Sequence, residues 1–189
     1  NIVVGVGGYA SGPTLRMAHS LKIPTLIQEQ NSYAGLTNKW LSKKTKKICV
    51  AYENMNQFFE KNKLVLTGNP VRKDIENLDA KLLDAKTYFK VSKNEKVILV
   101  LGGSLGAKSI NEGILNSIDT IKDQPIKLLW QVGKRYFDSI ENQLNQINIP
   151  NVKALAFIKR MDLAYSLADL VISRAGALSI AELEHTGKA

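Results

Sequence analysis

Short apolar runs, rich in β-branched residues, alternate along the chain with longer stretches whose apolar positions recur every three or four residues. The runs IVVGV, PTLIQ, KICVA and KLVLT predict strands in the first part. VILVLG, IKLLWQV, NVKALAF and DLVIS predict strands in the second. Helical spacing between them predicts helices over 13–21, 35–44, 53–61, 79–89, 107–121, 135–147, 161–168 and 177–186. Strands alternating with helices imply βαβ units and parallel sheets, because a parallel neighbour is reached only by a crossover. The pattern breaks over 68–95, where the turn-forming GNPVR leads into the charged stretch DIENLDAKLLDAKTYFKVSKNEK. A strand, a glycine-rich turn and a helix then recur, so that GVGGYASGP in the first half has a counterpart in GGSLGA in the second. The chain reads as two related α/β domains: 1–75 as the carboxy-terminal part of one, 76–95 as a linker, and 96–189 as the amino-terminal part of another. A doubly wound sheet commonly has five or six strands. Four in each half, with the chain starting inside a strand, read as a fragment cut at both ends.

Composition narrows the class. With 44% hydrophobic and 23% charged residues over 189 positions, the sequence is that of a globular protein. No apolar run approaches the roughly 20 residues that would span a bilayer, and the first residues lack a charged secretory leader. Cys49 is the single cysteine, which excludes an internal disulfide and suits a reducing compartment. Its place in the strand KICVA predicts a core residue. Leu36 and Trp40, four apart on one helix face, are expected in the core as well.

The net charge of +9 is uneven: residues 1–75 carry 11 basic and 4 acidic side chains, and the remainder 15 and 13. The densest stretch, KWLSKKTKK, holds Lys39, Lys43, Lys44, Lys46 and Lys47. By itself it fits a solvated helix end, an anionic membrane surface or nucleic acid. His19 and His185 are the only histidines. Two histidines and one cysteine make no metal set by spacing, and no Ser/His/Asp arrangement emerges.

Chemistry concentrates at the strand ends. In GVGGYASGP, Gly5-x-Gly7-x-x-Ala10 fits a dinucleotide fingerprint, with Glu29 near the place of its ribose-binding acid. The same turn fits the diphosphate of a sugar nucleotide or glycolipid at a helix N-terminus. GGSLGAKSINEGI places Ser104 at a second such turn, and it is not a P-loop, because Ala107 stands where that pattern has the glycine before its lysine. Asn69-Pro70 in GNPVR delivers Arg72 to the carboxyl end of a strand, where open α/β sheets bind ligands. In SRAGALSIAELEHTG, Glu182 lies one turn into a helix, placed to accept ribose hydroxyls. QEQNSYAGLTNKW ends another strand in the polar cluster Gln28 to Asn31.

Taken in order, GVGGYASGP, QEQNSYAGLTNKW, GNPVR, GGSLGAKSIN and SRAGALSIAE resemble the MurG family over almost the whole chain. These are the UDP-N-acetylglucosamine:N-acetylmuramyl-(pentapeptide) pyrophosphoryl-undecaprenol N-acetylglucosaminyltransferases of peptidoglycan synthesis. The resemblance implies a GT-B fold of two Rossmann-like domains, an acceptor- and membrane-binding one and a donor-binding one. It implies inverting transfer of N-acetylglucosamine from UDP-N-acetylglucosamine to the muramyl 4-hydroxyl of undecaprenyl-linked lipid I, giving lipid II. No cofactor and no metal are implied, and the partners are the two substrates and an anionic inner leaflet, not nucleic acid. By motif, Gly7, Gly8, Tyr9 and Ser11 would line the acceptor diphosphate loop. Asn31 would face acceptor and donor sugar, and Arg72 and Ser104 would hold donor phosphates. The backbone at Ile158 would read uracil, Ala177 and Leu178 would pack by the nucleotide, and Glu182 would bind the ribose. Lys43, Lys44, Lys46 and Lys47 would contact the membrane on its cytoplasmic side. The family's proposed general base is expected upstream of Asn1, and its paired glutamines downstream of Ala189. Gln28 stands where the family commonly has histidine, and Leu105 where it commonly has glutamine. The alternatives are another GT-B glycolipid glycosyltransferase, an NAD-dependent oxidoreductase, or a non-catalytic nucleotide-binding or membrane-docking module.

Overall fold

The computed structural model describes residues 1–92 and 94–188. They form two compact units, which divide between Val71 and Arg72.

In the first unit, strands β1 (Val3–Gly5), β2 (Thr25–Glu29), β3 (Lys47–Val50) and β4 (Leu64–Leu66) lie in that order in one parallel sheet. Helix α1 (Gly8–Ser20) links the first two strands and α2 (Leu36–Leu41) the next two. The core gathers Leu15 of α1, Leu41 of α2, Ile27, Ile48 and Val50 of the sheet, and Met55 and Phe59 beyond it. Helix α1 starts five residues before the expected position. Pro13 suggests a first helical residue, yet it sits inside the helix. Its missing N–H costs little there, because the Tyr9 carbonyl four residues back belongs to an exposed residue that water can serve. The helix expected over 53–61 reduces to two 3-10 turns, Met55–Gln57 and Lys61–Lys63. Met55 and Phe59 are buried four apart, which gives the helical period. The left-handed Asn54 before them and the extended Glu60 after them confine it to one turn.

In the second unit, β5 (Lys96–Leu101), β6 (Ile126–Gln131), β7 (Val152–Leu155) and β8 (Leu170–Ser173) form a parallel sheet in the order β7-β6-β5-β8. The chain moves outward from β5 through β6 to β7, then returns to the other side of β5. Strands β5 and β6 are apolar almost throughout, as strands covered on both faces must be. Around them are α3 (Leu82–Phe89), α4 (Lys108–Asn116), α5 (Ile118–Lys122), α6 (Phe137–Ile147), α7 (Met161–Leu167) and α8 (Ala177–Thr186). The single helix expected over 107–121 is two, parted at Ser117, whose hydroxyl donates back to the Gly113 carbonyl. Asn111 of α4 is buried and locks helix to sheet. Its amide donates to the Val132 carbonyl at 3.0 Å and its oxygen accepts from the Trp130 indole at 3.1 Å.

The stretch 76–95, expected as a linker, belongs by its contacts to the second unit. Ala85 and Phe89 of α3 are buried, and the Ser166 hydroxyl of α7 donates to the Leu78 carbonyl at 2.7 Å. Asp162, at the start of α7, completes the attachment. It accepts two hydrogen bonds from Arg160, at 2.9 and 2.8 Å, and lies 3.5 Å from Lys81. The charged residues that make this stretch look like a spacer therefore include an anchoring ion pair. The Arg160 hydrogen bonds hold the Asp162 carboxyl at about 2, against its burial, which acts the other way.

Replacement Asp162→Asn is expected to destabilise the protein by about 1.5–3 kcal/mol, the range for hydrogen bonds to a charged group, measured by urea unfolding at neutral pH. The folded carboxyl titrates below its ordinary 3.8. Its contribution is therefore complete above that value and lost as pH falls through about 2. The wild-type advantage over Asp162→Asn should vanish across that window.

Candidate functional site

Where the strand order reverses, the loops leaving β5 and β8 part, and a crevice opens at their carboxyl ends. A cavity of about 550 Å³ occupies it. Its floor is Leu101 ending β5 with Gly102 and Gly103 after it, Gln131 ending β6, and Phe157 and Ile158 after β7. Its walls are Arg72, Tyr165 and the start of α8 with Gly176, Ser179 and Glu182. These last three recur every third residue, so one face of α8 looks into the cavity.

The glycine turn after β5 serves two ends. Gly106 presses on Gly133: a Cβ on Gly133 would stand 2.2 Å from the Gly106 nitrogen, so these two glycines are required by packing. Gly103 has a φ of +82° and open space around it, so its backbone is bare toward the cavity. Ser104 is exposed, precedes α4 by several residues and is not part of the lining.

Arg72 and Glu182 meet directly. The Arg72 Nε donates to Glu182 Oε1 at 2.9 Å, and the Tyr165 hydroxyl donates to Oε2 at 3.0 Å. Arg72 spends its Nε on this pair, which leaves its terminal nitrogens for an anion. Tyr165 is 1% exposed. Burial first, then the Glu182 charge, push its phenol well above the ordinary value, so it stays a donor. The Ile158 N–H donates to Gln131 Oε1 at 2.9 Å, leaving the Ile158 carbonyl, not its N–H, for a ligand. Ala177 and Leu178 lie outside the lining, one step round α8 from the face that Gly176, Ser179 and Glu182 present. Tyr165 and Gln131 escaped the sequence reading because each lies within an ordinary apolar helix or strand pattern.

The first unit holds a second cavity, of about 360 Å³, at the amino end of α1. Gly7, with a φ of +83°, and Gly8, with +74°, turn the chain there. Val6, Tyr9, Asn31, Gly35, Thr37 and Asn38 also line it. Tyr9 is 93% exposed. Ser11 is directed elsewhere, its hydroxyl donating to the Gly7 carbonyl at 2.6 Å. The loop opposite α1 is organised by Glu29, which is 3% exposed. One Glu29 oxygen accepts from the backbone and side-chain nitrogens of Asn31, at 3.1 and 3.3 Å. The other accepts from the Gly35 N–H at 2.9 Å and the Asn38 amide at 2.8 Å. Gln28 holds the Gly68 carbonyl at 3.1 Å. Glu29 is thereby saturated and has no lone pair to offer a dinucleotide ribose.

The lysine run follows α2. Lys43, Lys44, Lys46 and Lys47 are all exposed, although Lys47 also donates to the Asn62 carbonyl at 3.2 Å. Leu36 and Trp40, expected in the core, are 84% and 55% exposed. Helix α2 is short, and its buried stripe is Asn38 and Leu41, which turns the Leu36–Trp40 face outward. Cys49 is half-buried. Among the described residues no His, Cys, Asp and Glu side chains cluster to hold a metal ion.

Comparison with known proteins agrees with this geometry. The glycosyltransferase family 28 C-terminal domain matches residues 97–189, and the glycosyltransferase family 28 N-terminal domain matches residues 1–50. The chain is 53% identical over 188 residues to a protein of Flavobacterium psychrophilum and 54% identical over 188 to one of Parabacteroides distasonis. Both are named UDP-N-acetylglucosamine--N-acetylmuramyl-(pentapeptide) pyrophosphoryl-undecaprenol N-acetylglucosamine transferase. Each match takes in 100% of this chain. The crystal structure of Acinetobacter baumannii MurG superposes with a TM-score of 0.66 at 32% identity, covering 98% of this chain. The chain belongs to the MurG family. It spans about half the length of its MurG relatives, 50% and 51% of the two named above and 50% of the Acinetobacter chain. Its fold class is GT-B. A UDP-GlcNAc 2-epimerase from Neisseria meningitidis, solved with UDP-GlcNAc, shares the fold at 17% identity and a TM-score of 0.61.

Glu29 is expected to act as a structural hub within this chain. Glu29→Gln keeps one acceptor oxygen and turns the other into a donor facing two donors. Amide exchange at Asn31 and Gly35 should accelerate by about tenfold or more, as expected when a buried hydrogen bond to a charge is lost. Unchanged protection at both amides would show that the loop holds itself.

Proposed function

We propose that the intact protein transfers N-acetylglucosamine, with inversion, from UDP-N-acetylglucosamine to the muramyl 4-hydroxyl of lipid I, forming lipid II for peptidoglycan. The observation that carries this reading is the cavity at the β5/β8 reversal. There a ribose-suited carboxylate, a part-free guanidinium and a bare glycine backbone converge. The close relatives carry the name of this transferase.

UDP occupies that cavity. The Ile158 carbonyl accepts from the uracil, Glu182 accepts from the ribose hydroxyls, and the terminal nitrogens of Arg72 with the Gly103 backbone face the diphosphate. As the sugar departs, negative charge grows on UDP, and a fixed cation in a partly dry site stabilises it most. Ser104 lies outside the lining and takes no part in this assignment. In the first unit, Gly7 and Gly8 at the α1 amino end cradle the acceptor diphosphate, whose charge suits the positive end of the helix dipole. Asn31, held by Glu29, borders the same cavity. The general base is not assigned to any residue of this chain. An oxidoreductase reading loses its acid, since Glu29 is saturated by its own loop.

The first unit also carries a face suited to the inner leaflet of the plasma membrane, on the cytoplasmic side. Trp40 of α2 adjoins Arg16, Lys43 and Lys44, and Met17 of α1 and Leu21 just after it are exposed as well. Among the described residues no helix is long and apolar enough to cross a membrane, and the exposed apolar and basic side chains of this face support a peripheral attachment. Each lysine near an anionic surface contributes roughly 1 kcal/mol.

Calorimetry on the intact protein tests the donor site. UDP is expected to bind more tightly than NADH, and Glu182→Ala to weaken UDP more than its 2′,3′-dideoxyribose analogue. Tighter binding of NADH would sink the transferase reading.

Liposome sedimentation tests the membrane face. Binding to phosphatidylglycerol vesicles should fade with salt, because the Debye length falls to about 3 Å near 1 M. It should also fall when Lys43, Lys44, Lys46 and Lys47 are all replaced by glutamine. Equal binding to neutral vesicles would contradict it.

A further inference from the structure

Glu182 is held at both oxygens before any ligand arrives. Arg72 takes Oε1 at 2.9 Å from a position that is itself 43% exposed, whereas Tyr165 takes Oε2 at 3.0 Å from within the core. The two supports differ in kind. The arginine is a solvent-facing cation, drawn to any anion that enters the cavity. The phenol is fixed: its ring is among the largest fully buried side chains, and α7 packs against α3 and β5. A carboxylate offers about four acceptor sites. Two are occupied, and one on each oxygen remains, enough for a vicinal diol. A diol demands both oxygens in a set orientation, and a free glutamate side chain would lose rotamer entropy to supply it.

We propose that Tyr165 is a positioning residue for ribose recognition: its buried hydroxyl locks the Glu182 carboxylate in the orientation that receives the two ribose hydroxyls. This rests on the reading of Glu182 as the ribose acceptor. Tyr165 touches no ligand in this role and supplies no proton. While the terminal nitrogens of Arg72 face the diphosphate, the buried Tyr165 hydroxyl is the support that keeps the carboxylate in place. The lock is thus specific to the diol and indifferent to base and phosphates.

The test is the ratio of two dissociation constants, that of 2′,3′-dideoxy-UDP over that of UDP, measured by calorimetry on the intact protein. In the wild type the ratio should be on the order of 10², two hydrogen bonds to a charge being lost. Tyr165→Phe removes one oxygen and keeps the ring. It should cut the ratio by about tenfold through weaker UDP binding, with the dideoxy analogue binding as before. In the Glu182→Ala background the same change should add nothing. If Glu182→Ala collapses the ratio while Tyr165→Phe leaves it intact, or weakens both ligands equally, the positioning role is overturned and the ribose reading stands. If neither variant moves the ratio, the ribose reading falls and the positioning role with it. Should Tyr165→Phe not fold, the ¹³Cζ resonance of Tyr165 in the wild type reports the same contact. UDP should shift it and dideoxy-UDP should not, and equal shifts would overturn the proposal.

Discussion

The reversal of strand order at β5 is the constraint on which the second unit depends. Successive crossovers carry the chain from β5 to β6 to β7 on one side, and β8 then returns to the other. The loops leaving β5 and β8 must run apart, so the sheet opens at its carboxyl edge without any residue having to be carved away. Everything assigned to the nucleotide lies on that opening: the bare backbone at Gly103, the face of α8 with Glu182, and the turn bearing Ile158. Asp169 secures the geometry. It accepts from the Val97 N–H and from Lys96, both at 2.8 Å, which fixes where β8 starts against β5. A strand entering one residue out of register would turn the side chains of β8 to the opposite face.

The first unit reaches its site by another route. Among the described residues its four strands follow in simple order. The cavity there is built between the amino end of α1 and a polar loop, and the loop owes its shape to one buried carboxylate. Glu29 collects four N–H donors, which is the way a buried charge becomes tolerable. The two sites thus divide the use of acidic residues. Glu29 is consumed by structure, while Glu182 keeps acceptor capacity for a ligand.

Much of this was legible in the primary structure. All eight strands predicted by apolar runs are present among the described residues, and the period of α8 was read to its last residue. These features are local: a run of Val, Ile and Leu favours an extended strand, and helical spacing between two turns favours a helix. The glycine turns were legible too, because positive φ at Gly7, Gly8 and Gly103 excludes most other residues. The ordered motifs carried the family, since they record chemistry that several distant loops share.

What the sequence left open was decided by packing. Leu36 and Trp40 have the spacing of a core stripe, yet α2 is rotated so that Asn38 and Leu41 fill that place. Met55 and Phe59 have helical spacing within a segment too short to propagate a helix. The charged stretch 76–95 has the composition of a linker, but Asp162 and Ser166 of α7 tie its start into the second unit. Arg72 and Glu182 each carried a plausible ligand role separately. Only the tertiary structure shows them hydrogen-bonded to one another, with Tyr165 beneath, because partners 110 and 17 residues from Glu182 meet through crossovers that no local pattern encodes.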